Sequence, residues 1–190
     1  MTETTLIDAA KLKDNVHHLA ERLATGPDAG IVRPKVVTRL VRDMVAESHF
    51  VQYDKPFSFK CDEAVERAGL GQEPSPMRYF LSGIAFCLQV WYAKGAALVD
   101  CKLDGLEIDL QTFMDMRGEH LVDGVPPNPQ YMTIEARVSS PSSADVVLKM
   151  AAEANRRCPL YNLVALAIPI HERIILNGKT IRNTLPAGLS

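Results

Sequence analysis

The chain has 190 residues, of which 47% are hydrophobic and 23% charged, and its formal net charge is -2 at pH 7. This size and composition fit an ordinary globular domain with an apolar core. The small net charge gives no long-range field to attract nucleic acid or an anionic membrane, so we expect neither as a partner.

The N-terminal residues also favour a cytoplasmic protein. Residues 1–19 carry early acidic residues and lack the basic start, apolar run and cleavage site of a secretory signal. The most apolar stretch, residues 79–92, is shorter than the roughly 20 residues that span a bilayer. Four scattered cysteines and five histidines show no metal-ligand spacing, so we predict no metal site and no cofactor.

The first predicted element is an N-terminal helix. Leu12, Val16, Leu19 and Leu23 recur at helical spacing and form one apolar stripe, and Gly26-Pro27 ends the pattern. We therefore predict a helical extension and linker over residues 1–30 and the main domain over residues 31–190. The stripe is typical of a helix that packs on the main body or on a partner.

The next segments predict strands followed by a buried helix. Residues 35–53 are rich in Val and aromatic residues and indicate one or two strands, and residues 54–63 add a short extended piece. Pro76 then opens a helix that is apolar on nearly all sides. A helix of that kind needs cover, which favours a homodimer, and Ser82-Gly83 would allow close approach of another backbone.

The second half of the chain continues with strands and helix. Residues 106–113 and 132–138 alternate as half-buried strands do, with a polar hairpin-like loop between them. Ser142 or Ser143 can cap a helix that runs to Cys158, where Pro159 disfavours helical geometry. More helix or turn and one last strand follow, and residues 177–190 show no clear pattern. The order of elements predicts an α+β fold.

Two cysteines stand in unlike contexts, and their surroundings resemble a known family. A cysteine considered alone is more typical of a core residue than of a reactive one. The stretch from Pro76 to Cys87, however, is similar to the OsmC/Ohr pattern of a Pro-led apolar helix with a reactive cysteine. The segment from Cys158 through Asn162 resembles the second motif of that family, and the intervening strands agree with it.

This resemblance implies a fold and a chemistry. The fold is an intertwined homodimer in which antiparallel sheets pack around two main helices. The chemistry is thiol-dependent reduction of organic hydroperoxides: Cys87 attacks the peroxide and becomes a sulfenic acid, and Cys158 condenses with it to a disulfide. An external dithiol then reduces that disulfide. Cys61 and Cys101 are expected to be bystanders.

The resemblance also implies that a cation activates Cys87. Cys87 lies eleven residues beyond Pro76 (87 − 76 = 11), too far for the helix dipole to ionise it. Peroxidase members use an arginine held by a glutamate, but Met77 stands at the glutamate position here. The candidate cations are Arg42, our narrow preference, with Arg39, Arg78 and Lys60.

Two other functions remain open from sequence. The first is an OsmC-like protein that binds a small apolar ligand or senses redox state without turnover. The expected substrate contacts of a peroxidase are Phe80, Phe86 and Tyr161, and Trp91 joins them around the apolar ligand of the alternative. The second is a structural dimer module whose N-terminal helix recruits a partner.

Overall fold

The computed structural model describes residues 6–187, which form two compact units. One unit comprises residues 22–82, and the other comprises residues 6–21 and 83–187. Within the described residues, no helix has the length and hydropathy that crossing a bilayer requires.

The unit of residues 22–82 is built on a three-stranded antiparallel sheet. Its strands are β1 (Val37–Arg42), β2 (Val45–Gln52) and β3 (Lys55–Cys61), in that order. Tyr53 and Asp54 both have positive φ, as a two-residue turn between β2 and β3 requires. These elements confirm the predicted strands, and the sheet is followed by a 3₁₀ turn at Val65–Arg67.

A buried carboxylate organises the loop after β3. Asp62 has no exposed surface and accepts hydrogen bonds from the backbone N–H groups of Glu63, Leu70 and Gln72 at 2.8 to 3.2 Å. Burial alone would raise the pKa of this carboxyl, but these N–H donors together lower it. The loop is thereby fixed just before α2 (Pro76–Leu98), the predicted apolar helix, which begins in this unit.

The other unit contains a four-stranded sheet in the order β4-β5-β6-β7. The strands are β4 (Gly105–Phe113), β5 (Tyr131–Ser139), β6 (Ile170–Leu176) and β7 (Lys179–Asn183). All pairs are antiparallel except β5 with β6, which is parallel. This pair corrects the expectation of antiparallel sheets. It is parallel because two helices, α3 (Ala144–Arg157) and α4 (Pro159–Ala165), carry the chain back before β6 begins.

The core of this unit lies between the sheet and the helices. Apolar residues of β5 and β6 are buried on one face of the sheet, as the alternating pattern predicted: Met132, Ile134, Ala136, Val138 and Ile174. The helices contribute buried residues of α2 and α3: Ile84, Leu88, Tyr92, Ala96, Val147, Met150, Ala151 and Ala154. The helices packed on mainly antiparallel sheets confirm the α+β class.

Close helix packing occurs at a different glycine from the predicted one. A Cβ added to Gly95 would lie 2.9 Å from the backbone oxygen of Met150 on α3, whereas one on Gly83 would meet nothing within 4 Å. Gly95 therefore permits the close approach of α2 and α3. The sequence drew attention to Gly83 because it follows Ser82, but small size alone does not say which side of a helix is packed.

The N-terminal helix is present as α1 (Ala9–Leu23). None of its residues is buried, and Lys13 forms an ion pair with Asp100, just beyond α2, at 2.9 Å. The predicted domain boundary at residue 30 stays a prediction.

The C-terminal region has one strand more than the sequence pattern indicated. β7 pairs with β6 through a two-residue turn at Asn177-Gly178, and both turn residues have positive φ. Asn-Gly is the strongest short-range hairpin signal because both residues adopt positive φ readily. The description of residues 177–190 as unpatterned was therefore wrong for β7.

Candidate active site

The fold brings the two predicted cysteines together. Cys87 lies on α2, Cys158 joins α3 to α4, and the Cys158 thiol donates a hydrogen bond to Cys87 Sγ over 3.2 Å. Both are free thiols. Since a disulfide bond is about 2.05 Å long, closure requires the sulfurs to approach by only about 1 Å. The pair can thus be oxidised with little rearrangement.

Cys158 is held at a break between two helices, as the following proline predicted. Its φ of -73° and ψ of 113° are extended, and it is both the C-cap of α3 and the N-cap of α4. The Cys158 sulfur accepts a hydrogen bond from the backbone N–H of Tyr161 at 3.4 Å. The sulfur therefore both caps α4 and faces Cys87.

An amide side chain fixes this break. Asn162 Nδ2 donates to the backbone oxygens of Asn155 at 2.9 Å, Arg156 at 3.4 Å and Cys158 at 2.8 Å. These are carbonyls at the end of α3, which have no partner within that helix. Asn162 therefore ties the first turn of α4 to the last turn of α3, with Cys158 between them.

The two thiols differ in burial. Cys158 has no exposed surface, whereas Cys87 is half-buried. Burial raises the pKa of the Cys158 thiol to about 11, although the N–H of Tyr161 acts in the opposite direction and Cys87 raises it further. Cys158 is therefore a protonated thiol near neutral pH, with its hydrogen on the side of Cys87.

A buried polar cluster near the same helices was not predicted. Glu172 on β6 is only 7% exposed, accepts a hydrogen bond from Asn155 and pairs with Arg182 at 3.4 Å. Burial and the charge of Glu172 raise the pKa values of Tyr92 and Tyr161, and Arg182 partly opposes this. One signal was available in the sequence, because alternation in β6 places Glu172 on the same face as Ile174.

The cations proposed from sequence occupy the unit of residues 22–82. Arg39 pairs with Glu47 at 2.9 Å and Arg42 with Asp43 at 3.0 Å, while Arg78 is exposed in the first turn of α2. Lys60 is exposed, and its backbone oxygen accepts a hydrogen bond from Tyr79. The role of any of them beside Cys87 stays a prediction.

The remaining candidates are the aromatic residues of α2 and α4 and the two other cysteines. Phe80 and Phe86 are exposed on α2, Tyr161 is half-buried on α4, and Lys94 lies over the Trp91 ring at 4.8 Å. Cys61 ends β3, and buried Cys101 lies 3.8 Å from the Ser140 hydroxyl. The bystander role of both cysteines, like the ligand role of the aromatic residues, stays a prediction.

Fold and site together define a protein of α+β architecture with two adjacent free thiols, one on α2 and one at the α3–α4 break. The family model described as OsmC-like protein matches residues 69–173, more than half of the chain. The chain therefore belongs to the OsmC-like family. No curated protein matches it.

Solved structures share this fold. An OsmC-like protein from Mycoplasma pneumoniae is 16% identical, with 76% of this chain and 97% of that chain covered and a TM-score of 0.65. An organic hydroperoxide resistance protein OsmC from Legionella pneumophila is 14% identical, with coverages of 77% and 98% and a TM-score of 0.58. An OsmC-like protein of unknown function from Vibrio cholerae is 10% identical, with coverages of 76% and 100% and a TM-score of 0.61. At these identities the likeness shows the fold.

Proposed function

We propose that this protein is a thiol-dependent peroxidase that reduces organic hydroperoxides. The observation that carries the proposal is the hydrogen bond between the two thiols at 3.2 Å, in a family whose structural neighbours include organic hydroperoxide resistance proteins. A buried structural thiol needs no second thiol at this distance, whereas a peroxidase cycle needs one to resolve its sulfenic acid.

In the first step, the Cys87 thiolate attacks the terminal oxygen of the hydroperoxide. The O–O bond breaks, Cys87 becomes a sulfenic acid, and the alkoxide takes a proton and leaves as the alcohol. Cys87 suits this role because it is half-buried on a long helix, and it accepts the hydrogen bond that Cys158 donates. The S–H of Cys158 thus points at the sulfur that attacks the peroxide.

In the second step, the Cys158 sulfur attacks the sulfenic sulfur of Cys87, and the hydroxyl leaves as water with the proton of Cys158. The high pKa of Cys158 slows this attack, because a thiolate is the nucleophile. Proximity compensates, since effective concentrations in well-oriented intramolecular reactions reach about 10⁵ M or more. An external dithiol then supplies two electrons and restores both thiols.

A homodimer is the proposed assembly. Apolar side chains remain uncovered on the described α2 and α4, where Phe86 is 66% exposed and Val90 and Leu163 are also more than half exposed, and Leu166, the C-cap of α4, is 89% exposed. Large exposed apolar patches mark interaction sites, and Phe86 directly precedes Cys87 in the chain. A second copy would cover these residues and leave a partly apolar entrance for the organic group of the peroxide.

Titration with cumene hydroperoxide tests the function. One equivalent should remove two thiols per chain from the reduced protein and produce a Cys87–Cys158 disulfide that a dithiol reverses. Cys87→Ser should abolish peroxide consumption, since a hydroxyl is hardly ionised at neutral pH. Cys158→Ser should leave one rapid oxidation that stops at the sulfenic acid or proceeds to sulfinic acid.

Cys61→Ser is the matched control, because Cys61 is also only partly buried but is expected to take no part. It should retain the wild-type rate. Catalytic consumption by Cys87→Ser would rule out the proposed mechanism. If the wild type binds apolar ligands but never forms the disulfide, the binding or sensing alternative replaces it. Sedimentation as a 21.0 kDa monomer at micromolar concentration would refute the dimer.

A further inference from the structure

The two sulfurs of the proposed disulfide are not equally accessible to a reductant. Cys158 has 0% exposure, whereas Cys87 is half-buried. Closing the distance of 3.2 Å to a bond requires a small movement, so Cys158 stays enclosed after oxidation. These exposures are those of the single chain, and a second subunit can cover Cys87 as well as Cys158, so the test of access uses the full-length protein in its own assembly.

Thiol–disulfide exchange proceeds by attack of a thiolate on one sulfur, with the other sulfur leaving. The attack comes along the line of the S–S bond, from the side opposite the leaving sulfur. For Cys158 that side is the protein interior at the break between α3 and α4, which Asn162 ties together through backbone carbonyls. An attack on Cys158 thus requires this break to open.

We propose that the reductant attacks Cys87 Sγ, forms its mixed disulfide with Cys87 and expels Cys158. This inference deepens the proposed peroxidase function and rests on it for its place in the cycle. The S–S bond breaks, its electron pair passes to Cys158, and a new bond joins the reductant sulfur to Cys87. The second thiol of the reductant then attacks the reductant sulfur of the mixed disulfide. The reductant leaves as a disulfide, and Cys87 is released as a thiolate.

The surroundings of Cys158 allow its sulfur to leave and then to be protonated. The N–H of Tyr161 already points at this sulfur from 3.4 Å and can stabilise the departing thiolate. The pKa of about 11 works against departure, but once released the thiolate takes a proton and attacks Cys87 again only slowly. Access decides the first event, since a slower leaving group still reacts whereas an enclosed sulfur cannot be reached.

Regiochemistry can be read by peptide mapping, because trypsin places each cysteine on its own peptide. Cys87 falls between Arg78 and Lys94, and Cys158 falls between Arg157 and Arg173. The full-length Cys61→Ser protein is oxidised with diamide, exposed to excess glutathione, quenched with acid at increasing times and digested. We expect glutathione on Cys87 with a free Cys158, in about tenfold or greater excess over the reverse.

Equal or greater labelling of Cys158 would overturn the inference, as would failure of diamide to produce the disulfide. Diamide forms the bond without peroxide, so a protein that fails to reduce cumene hydroperoxide but directs glutathione to Cys87 refutes only the proposed function. The reverse combination refutes only this inference.

Variants that keep one thiol of the pair, with buried Cys101 common to both, provide a second measurement in the same background if the mixed disulfide is short-lived. Reaction with 5,5′-dithiobis(2-nitrobenzoate) should be at least about tenfold faster for Cys87 in Cys158→Ser than for Cys158 in Cys87→Ser. Equal rates would refute the difference in access.

Discussion

Asn162→Ala should separate the two chemical steps of the proposed cycle. The substitution removes two hydrogen bonds below 3 Å and one at 3.4 Å, all to carbonyls at the end of α3. A typical hydrogen bond contributes about 0.5–1.5 kcal/mol, and water can replace the partners that are exposed, so we expect a loss of about 1–2 kcal/mol of stability. Cys158 would then be held less firmly against Cys87.

The loss should fall on disulfide formation and not on the first oxidation. If the energy that orders the break is also needed to reach the reactive geometry, about 1–2 kcal/mol corresponds to a roughly 5- to 30-fold slower resolution. The lifetime of the Cys87 sulfenic acid can be measured by dimedone trapping at increasing times after one equivalent of cumene hydroperoxide. The rate at which Cys87 is first oxidised should stay within about twofold of the wild type, because its helix is unchanged.

Asn128→Ala is the matched control, because Asn128 also donates to a backbone oxygen, at 3.0 Å on an exposed loop. It should alter neither step. Asn162→Asp keeps the shape but places a carboxylate against carbonyl oxygens, so it should slow resolution at least as much as alanine. Wild-type sulfenic acid lifetime and an unchanged unfolding midpoint in Asn162→Ala would show that this side chain does not position Cys158.

Three further outcomes are expected. Gly95→Ala should destabilise the protein by about 1–3 kcal/mol in chemical denaturation, because its Cβ meets an α3 backbone oxygen, whereas Gly83→Ala should be neutral or stabilising by up to about 1 kcal/mol. The folded-state pKa of Cys158 is raised, so its stabilising contribution is complete below pH about 9 and is lost as the pH approaches about 11. The stability difference between the reduced wild type and Cys158→Ala should therefore narrow over that range. Arg39→Ala should slow Cys87 oxidation more than Arg42→Ala does, as measured by the loss of the first thiol.

The sequence predicted most elements because their signals are local. Alternation placed Met132, Ile134 and Ala136 on one buried face, and Pro159 predicted the break at Cys158. The hydrophobic pattern alone does not predict β7, although Asn177-Gly178 favours the hairpin turn before it. The parallel pairing of β6 with β5 had no local signal, since it depends on where two helices return the chain.

In the candidate site, too, the sequence predicted the residues with a local motif and not the features that depend on tertiary packing. Motif resemblance identified Cys87 and Cys158, but their separation of 71 positions says nothing about distance, and 3.2 Å results from the packing of α2 against the break. The positioning role of Asn162 depends on three carbonyls that the sequence does not place. Glu172 was recognisable only as a charge on an apolar face, and its partner Arg182 lies across the hairpin that the pattern missed.

The absence of a glutamate at Met77 changes which cation suits the family chemistry. An activating arginine must be held by a carboxylate that is itself fixed. Arg42 pairs with its chain neighbour Asp43, and both side chains are more than 60% exposed. Such pairs are weak because solvent screens them and ordering two side chains costs entropy.

Arg39 satisfies the requirement better. Its partner Glu47 lies opposite it in the β1–β2 ladder, and the side chain of Glu47 is only 17% exposed. The hydrogen bond from Arg39 is the main cause that lowers the pKa of Glu47, which favours the carboxylate form of this partner. The β1–β2 pair thus supplies both residue types that the family pattern divides between strand and helix. We therefore predict Arg39 in preference to Arg42 as the activating cation, with Glu47 in place of the missing helix glutamate.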